Sequence, residues 1–178
     1  MNRKGFTLIE LLIVIAILGI LAAAILVAVD PVGRIREARD ARRWSETNAM
    51  LNAVLNRQVD ARALYTGSTA YPVVASDTLS QIIISVTGDA GQGLCSAATC
   101  PDATISAVGS AACWVNFGST AGSDFALAPT YIASIPVDPR GGTYSATNTG
   151  YYFRRALSGR ITVGACDAEG SGTISVTR

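Results

Sequence analysis

The chain contains no histidine and a single lysine, Lys4. Without His, the commonest general base and the commonest transition-metal ligand are both missing. No paired-carboxylate arrangement or nucleophile motif stands in for it, so the sequence offers no positive sign of an enzyme. Basic residues are also missing from one long stretch: residues 63–139 carry five Asp and no Lys or Arg. The flanking blocks have the opposite balance, with seven Arg against four acids in 34–62 and five Arg against two acids in 140–178. Such segregated blocks either meet complementary blocks on neighbouring copies or form solvated faces. The formal net charge of +1 argues against a global affinity for nucleic acid or anionic membrane. Residues 66–128 are dominated by Gly, Ala, Ser and Thr, a composition that suits loop-rich extracellular β structure better than a tight enzyme pocket.

What is present begins with a hydrophobic run. Phe6–Val29 is 24 residues long with one charge, Glu10. As a helix it spans about 36 Å, enough for a hydrocarbon core of roughly 30 Å. The basic flank Asn2-Arg3-Lys4 predicts that the N-terminus stays in the cytoplasm and the remainder lies outside. A cleavable secretory signal would have an apolar core of about 7–15 residues, and this run is longer. A plain signal anchor fits the length but leaves Glu10 unexplained, because an acid in hydrocarbon costs roughly 2.5–3.5 kcal/mol at mid-membrane and less near the edge. Such a residue needs a partner or a function.

Four cysteines, Cys95, Cys100, Cys113 and Cys166, in a chain with an export-type N-terminus read as two disulfides. A four-thiolate zinc site competes with that reading, but the gaps of 4, 12 and 52 residues contain no CxxC knuckle. Pairing Cys95 with Cys100 would clip a short loop and leave Cys113 with Cys166. The other two connectivities stay open.

The stretch Arg3-Lys4-Gly5-Phe6-Thr7-Leu8-Ile9-Glu10 resembles the processing site of type IV prepilins and type II secretion pseudopilins. The basic leader, the Gly, the Phe after it and the Glu five residues into the mature chain all match. The resemblance implies cleavage between Gly5 and Phe6 by a prepilin peptidase that also N-methylates Phe6. It also implies a role for Glu10 in assembly. Cleavage before the apolar run leaves the helix attached and frees an amine at Phe6. In lipid that amine and Glu10 attract strongly, between staggered neighbours or within one chain. The implied partners are further copies in a helical filament, the peptidase and N-methyltransferase, an inner-membrane platform with its motor, and the membrane itself.

Beyond the apolar run, Pro31 removes a backbone donor and should interrupt the helix, with Gly33 loosening the same turn. Gly19 sits where family filaments tend to lose helicity between such a Gly and a later Pro. Residues 34–64 lack Gly and Pro and predict helix. Trp44, Leu51, Val54, Leu55 and Val59 fall near helical spacing and should pack beneath a sheet. Arg34, Arg36, Arg39, Arg42 and Arg43 form the expected polar face, with Arg36 and Asp40 spaced to pair. The acids interleaved among them weigh against DNA binding, and no nucleic-acid partner is expected.

In the head, Gln81–Thr87 reads as a strand or a helix end and Cys113–Phe117 as a strand. Gly150–Ala156, Arg160–Ala165 and Thr173–Thr177 read as an antiparallel meander, with Ile161, Val163 and Ala165 on one face. Ile135-Pro136-Val137-Asp138-Pro139 resembles the proline-bounded segment before the sheet of many pseudopilins, whose major members bind calcium downstream. Asp138, Asp167 and Glu169 are too scattered in sequence to make a site, so no cofactor is expected. A bond between Cys113 and Cys166 would resemble the C-terminal disulfide loop of many type IV pilins.

The expected fold is α+β and pilin-like: a long N-terminal helix, half membrane and half amphipathic, packed on a C-terminal antiparallel sheet. Its expected divisions are a leader at 1–5, a membrane and filament-core helix at 6–29, an amphipathic continuation at 30–65 and a β-rich head at 66–178. The expected function is a processed, polymerising subunit of a type IV pilus-type filament, anchored in the cytoplasmic membrane with its head outside. The alternatives are a secretion pseudopilin or a non-polymerising anchored binding protein.

Overall fold

The structure is a computed structural model describing residues 5–66, 73–84, 100–105, 113–118, 126–170 and 172–178. Arg3, Lys4 and Cys95 fall outside the described residues. The chain divides into two compact units, residues 1–37 and 38–178.

The first unit contains α1 (Leu8–Val29) and the start of α2 (Pro31–Ala61). Leu, Ile and Ala build α1, and its apolar residues lie on every side; none of its 22 residues is buried. At about 33 Å it is long and apolar enough to cross a membrane. The interruption falls at Asp30, whose backbone takes the left-handed conformation (φ 40°). Asp30 then caps α2: its carbonyl accepts from Arg34 N–H at 3.2 Å and its Oδ1 from Gly33 N–H at 3.2 Å. Pro31 occupies the first helical position, where its missing N–H is harmless. A Cβ at Gly33 would lie 2.5 Å from the Asp30 carboxylate, so a larger residue there would displace the capping side chain. Gly19 lies inside an uninterrupted helix.

In the second unit, Met50, Leu51, Ala53 and Val54 of α2 are fully buried against one face of a five-stranded sheet. The strands are β1 (Gln81–Ile84), β2 (Trp114–Asn116), β3 (Tyr151–Arg155), β4 (Ile161–Ala165) and β5 (Ser175–Thr177), in the order β2-β1-β3-β4-β5. The architecture is α+β and pilin-like. The tail meander β3-β4-β5 is antiparallel, as its turn signals predict, and Ile161, Val163 and Ala165 share the helix-facing core. β1 and β2 pair in parallel, so the sheet is antiparallel except at this pair. The long connection between Ile84 and Trp114 permits it, since a parallel pair needs a crossover rather than a hairpin.

Both faces of the sheet are covered. Ile83, Val115, Phe117, Tyr151 and Phe153 meet α2, whereas Ile82, Ile84, Trp114 and Tyr152 meet Cys100, Ile105, Cys113 and Cys166. This double burial explains why β1 is an unbroken apolar run without alternation. Tyr65, Phe117 and Phe153 meet edge-to-face at centroid distances of 5.4–5.9 Å. Across the β3-β4 pair, Gly164 makes room for the Tyr152 ring; a Cβ there would lie 2.4 Å from it.

Three sequence expectations fail here. Trp44 is 44% exposed and Val59 74% exposed, so neither packs beneath the sheet. Arg43, assigned to the polar face, is fully buried. Cys100 is bonded to Cys166, which rules out both the Cys95–Cys100 and the Cys113–Cys166 pairs. The reason is local: Asp102 N–H donates to the Cys166 carbonyl at 3.1 Å and Ala168 N–H to Asp102 Oδ2 at 3.0 Å. The 100–105 segment is thereby laid along the end of β4. Cys113 is disulfide-bonded as well.

Candidate functional site

Two regions concentrate polar chemistry in apolar surroundings. The first is the start of α1. Gly5, Phe6 and Thr7 are not helical, and Phe6 is 82% exposed. Thr7 is the N-cap: its backbone is extended (φ −77°, ψ 151°), its carbonyl accepts from Leu11 N–H at 3.3 Å, and its Oγ1 accepts from Glu10 N–H at 3.3 Å. Gly5 has open space where a Cβ would go, with nothing within 4 Å among the described residues. Glu10 lies three residues after the cap, exposed on an apolar helix, and its carboxylate has no hydrogen bond or ion pair among the described residues.

The second is a charge cluster between α2 and the loops beside β3 and β4. Arg43 donates from Nε and Nη2 to both oxygens of Asp138 at 2.6 and 2.8 Å, a forked pair with both side chains fully buried. Its Nη1 reaches Asp40 at 2.6 Å and its Nη2 reaches Glu169 at 2.9 Å. Arg39 adds a second cation to Glu169 at 3.0 Å. Asp40 also accepts from the backbone N–H groups of Glu169 and Gly170 at 3.1 and 2.8 Å. Beside the cluster, the Tyr151 hydroxyl donates to Glu46, which Arg42 meets at 2.7 Å.

The electrostatics follow from this geometry. Burial works against the Arg43 charge, but the bonds to Asp138, Asp40 and Glu169 outweigh it and hold the guanidinium more firmly charged than usual. Burial likewise opposes the Asp40 carboxylate, and the Glu169 N–H, Arg43 and Gly170 N–H reverse it, leaving its pKa below the ordinary value. Burial first, then Asp167, pushes the Tyr144 phenol up to about 12.

The carboxylates scattered in sequence therefore converge in space. Asp138 and Glu169 close on a guanidinium, while Asp167 meets Arg140 at 2.6 Å and Tyr144 at 3.3 Å. The expected Arg36–Asp40 pair is replaced by Arg43–Asp40. The sequence reading passed over Thr7 and Asp30, although both carry signals: Thr7-x-x-Glu10 has capping-box spacing, and Asp before Pro marks a helix start. No local pattern announces Arg43 as a buried hub, because Asp138 lies 95 residues away.

Among known proteins, the family model for the prokaryotic N-terminal methylation motif matches residues 1–26. The chain thus carries the motif characteristic of type IV pilins and pseudopilins, on a pilin-like α+β architecture. The motif supports a precursor of the pilin or pseudopilin type and implies processing by a prepilin peptidase. No curated protein and no solved structure matches the chain.

Proposed function

We propose that this chain is a structural subunit, cut between Gly5 and Phe6, N-methylated at Phe6 and polymerised into a type IV pilus-type helical filament. Before assembly α1 holds it in the cytoplasmic membrane with the head outside. The observation that carries the reading is Glu10, a carboxylate without a partner among the described residues on a helix that is apolar on every side. Once out of the membrane, α1 helices of several copies packed against one another keep their apolar surface from water. Pairing Glu10 with the Phe6 amine of a staggered neighbour relieves its desolvation and sets the register. Transfer from lipid to such a bundle exchanges one apolar surrounding for another, so a platform and motor need supply only the remaining cost. The stretch from Gly19 to Pro31 is where the helix would open in the filament. The Cys100–Cys166 bond supports an oxidising location for the head and the pilin reading. The Ile135–Pro139 segment favours a secretion pseudopilin as the second reading, and the absence of a catalytic constellation from the sequence supports a structural role.

The test is N-terminal sequencing with intact mass on protein from the membrane fraction. A chain starting at Phe6 with one added methyl is the expected result. A Met1 start would leave a simple anchor, and a start beyond residue 24 would leave an ordinary secreted protein.

A further inference from the structure

We propose that Thr7 is a positioning residue for processing: as N-cap of α1 it keeps the Gly5–Phe6 peptide out of the helix, in the extended form a peptidase can bind. The inference rests on the processing reading above and deepens it. Cleavage breaks the bond between the Gly5 carbonyl carbon and the Phe6 nitrogen. Water supplies the oxygen to the new Gly5 carboxylate and the protons to the new Phe6 amine.

A helix leaves its first N–H groups without intrahelical partners, and in an apolar medium each orphan is costly. The Thr7 hydroxyl takes one of them, the Glu10 N–H at 3.3 Å, while the extended backbone at Thr7 ends the helix. Without a cap, the cheapest remedy for α1 is another turn. The Glu10 N–H would then bond to the Phe6 carbonyl and the Ile9 N–H to the Gly5 carbonyl, following the i to i−4 pattern. That second bond engages the carbonyl that must be attacked, and it winds the scissile peptide into a helix. A peptidase cleft that pairs with an extended strand cannot accept it. Gly5 adds an independent observation. A Cβ there would meet nothing within 4 Å among the described residues, so the scissile peptide stands open to the approach of a second molecule. Thr7 and Gly5 therefore divide the work: one keeps the peptide extended, the other keeps it bare.

The experiment uses the full-length precursor in membrane vesicles with a prepilin-type aspartyl peptidase, following the appearance of the Phe6 N-terminus by mass spectrometry. Thr7→Val keeps the shape of the side chain and removes the cap. It should lower kcat/KM about 3- to 20-fold, the range set by measured N-cap losses. Thr7→Ser keeps the hydroxyl cap and Thr7→Asn caps through an amide oxygen, so both should stay within about two-fold of wild type. Wild-type rates for Thr7→Val would overturn the positioning role while leaving the processing reading intact. Thr7→Asn as slow as Thr7→Val would also overturn it, because the peptidase would then be reading threonine itself. A wild-type chain left uncut between Gly5 and Phe6 would overturn the processing reading, and this inference with it.

Discussion

Glu10 and Asp138 present the same physical problem in two regions and receive opposite answers. Both are carboxylates in a chain whose surroundings there are apolar or closed to water. Asp138 is fully buried and forked onto Arg43, which also gathers Asp40 and Glu169. Every charge in that cluster is answered from within the chain. Glu10 has no answering group among the described residues, on a helix with no buried side chain. A head whose charges are paired internally can be complete as one copy. On the filament reading, a helix whose one charge has no partner among the described residues is completed by a second molecule. Internal pairing and its lack are thus divided along the sequence, at about the place where α2 enters the second unit.

The comparison can be broken from the head side first. Arg43→Met would leave Asp138, Asp40 and Glu169 without their shared cation, and breaking a buried pair in this way costs roughly 3–5 kcal/mol. The full chain in detergent should show that loss in thermal unfolding followed by near-UV circular dichroism. Arg43→Lys, which keeps the charge and loses the fork, should fall between it and wild type. Cys100→Ser with Cys166→Ser opens a link across 66 residues and should cost roughly 2–4 kcal/mol in the same measurement. Equal stability in either case would mean that the head does not depend on its internal cross-links.

A smaller and subtler effect concerns pH. Asp40 has its folded pKa below the unfolded value, so its contribution is fully present above the unfolded carboxylate range. It is lost as pH falls through the lower folded value. Head stability should therefore drop on acidification below about pH 4, and Asp40→Asn should flatten that part of the profile. An unchanged profile would place the acid sensitivity elsewhere in the cluster.

Most of the fold was legible because its signals are local. The 34–64 helix reads from composition, the β3-β4-β5 meander from its turns, and the α1 run and the cleavage motif from a few adjacent residues. What escaped depends on encounters between distant segments. Arg43 looks like one more arginine on a charged helix until Asp138 and Glu169 arrive from the loops beside the sheet. Cys100 looks paired with its sequence neighbour until Asp102 lays its segment along β4. Trp44 looks like core by spacing, yet the buried stripe of α2 runs through Met50, Leu51, Ala53 and Val54 and leaves Trp44 outside. β1 lacks alternation for a tertiary reason, since a second layer covers its other face. In the candidate site, Glu10 was legible as an anomaly because its cost follows from the sequence alone.

The most direct test of this account is Glu10→Leu in the full-length chain, followed for membrane insertion, the Phe6 N-terminus and recovery of subunits in sheared surface filaments. The account predicts insertion and cleavage as in wild type with filament recovery lost, because the substitution removes only the charge that calls for a neighbour. Filaments at the wild-type level would contradict it, showing that apolar burial of α1 is sufficient and that Glu10 does not direct assembly.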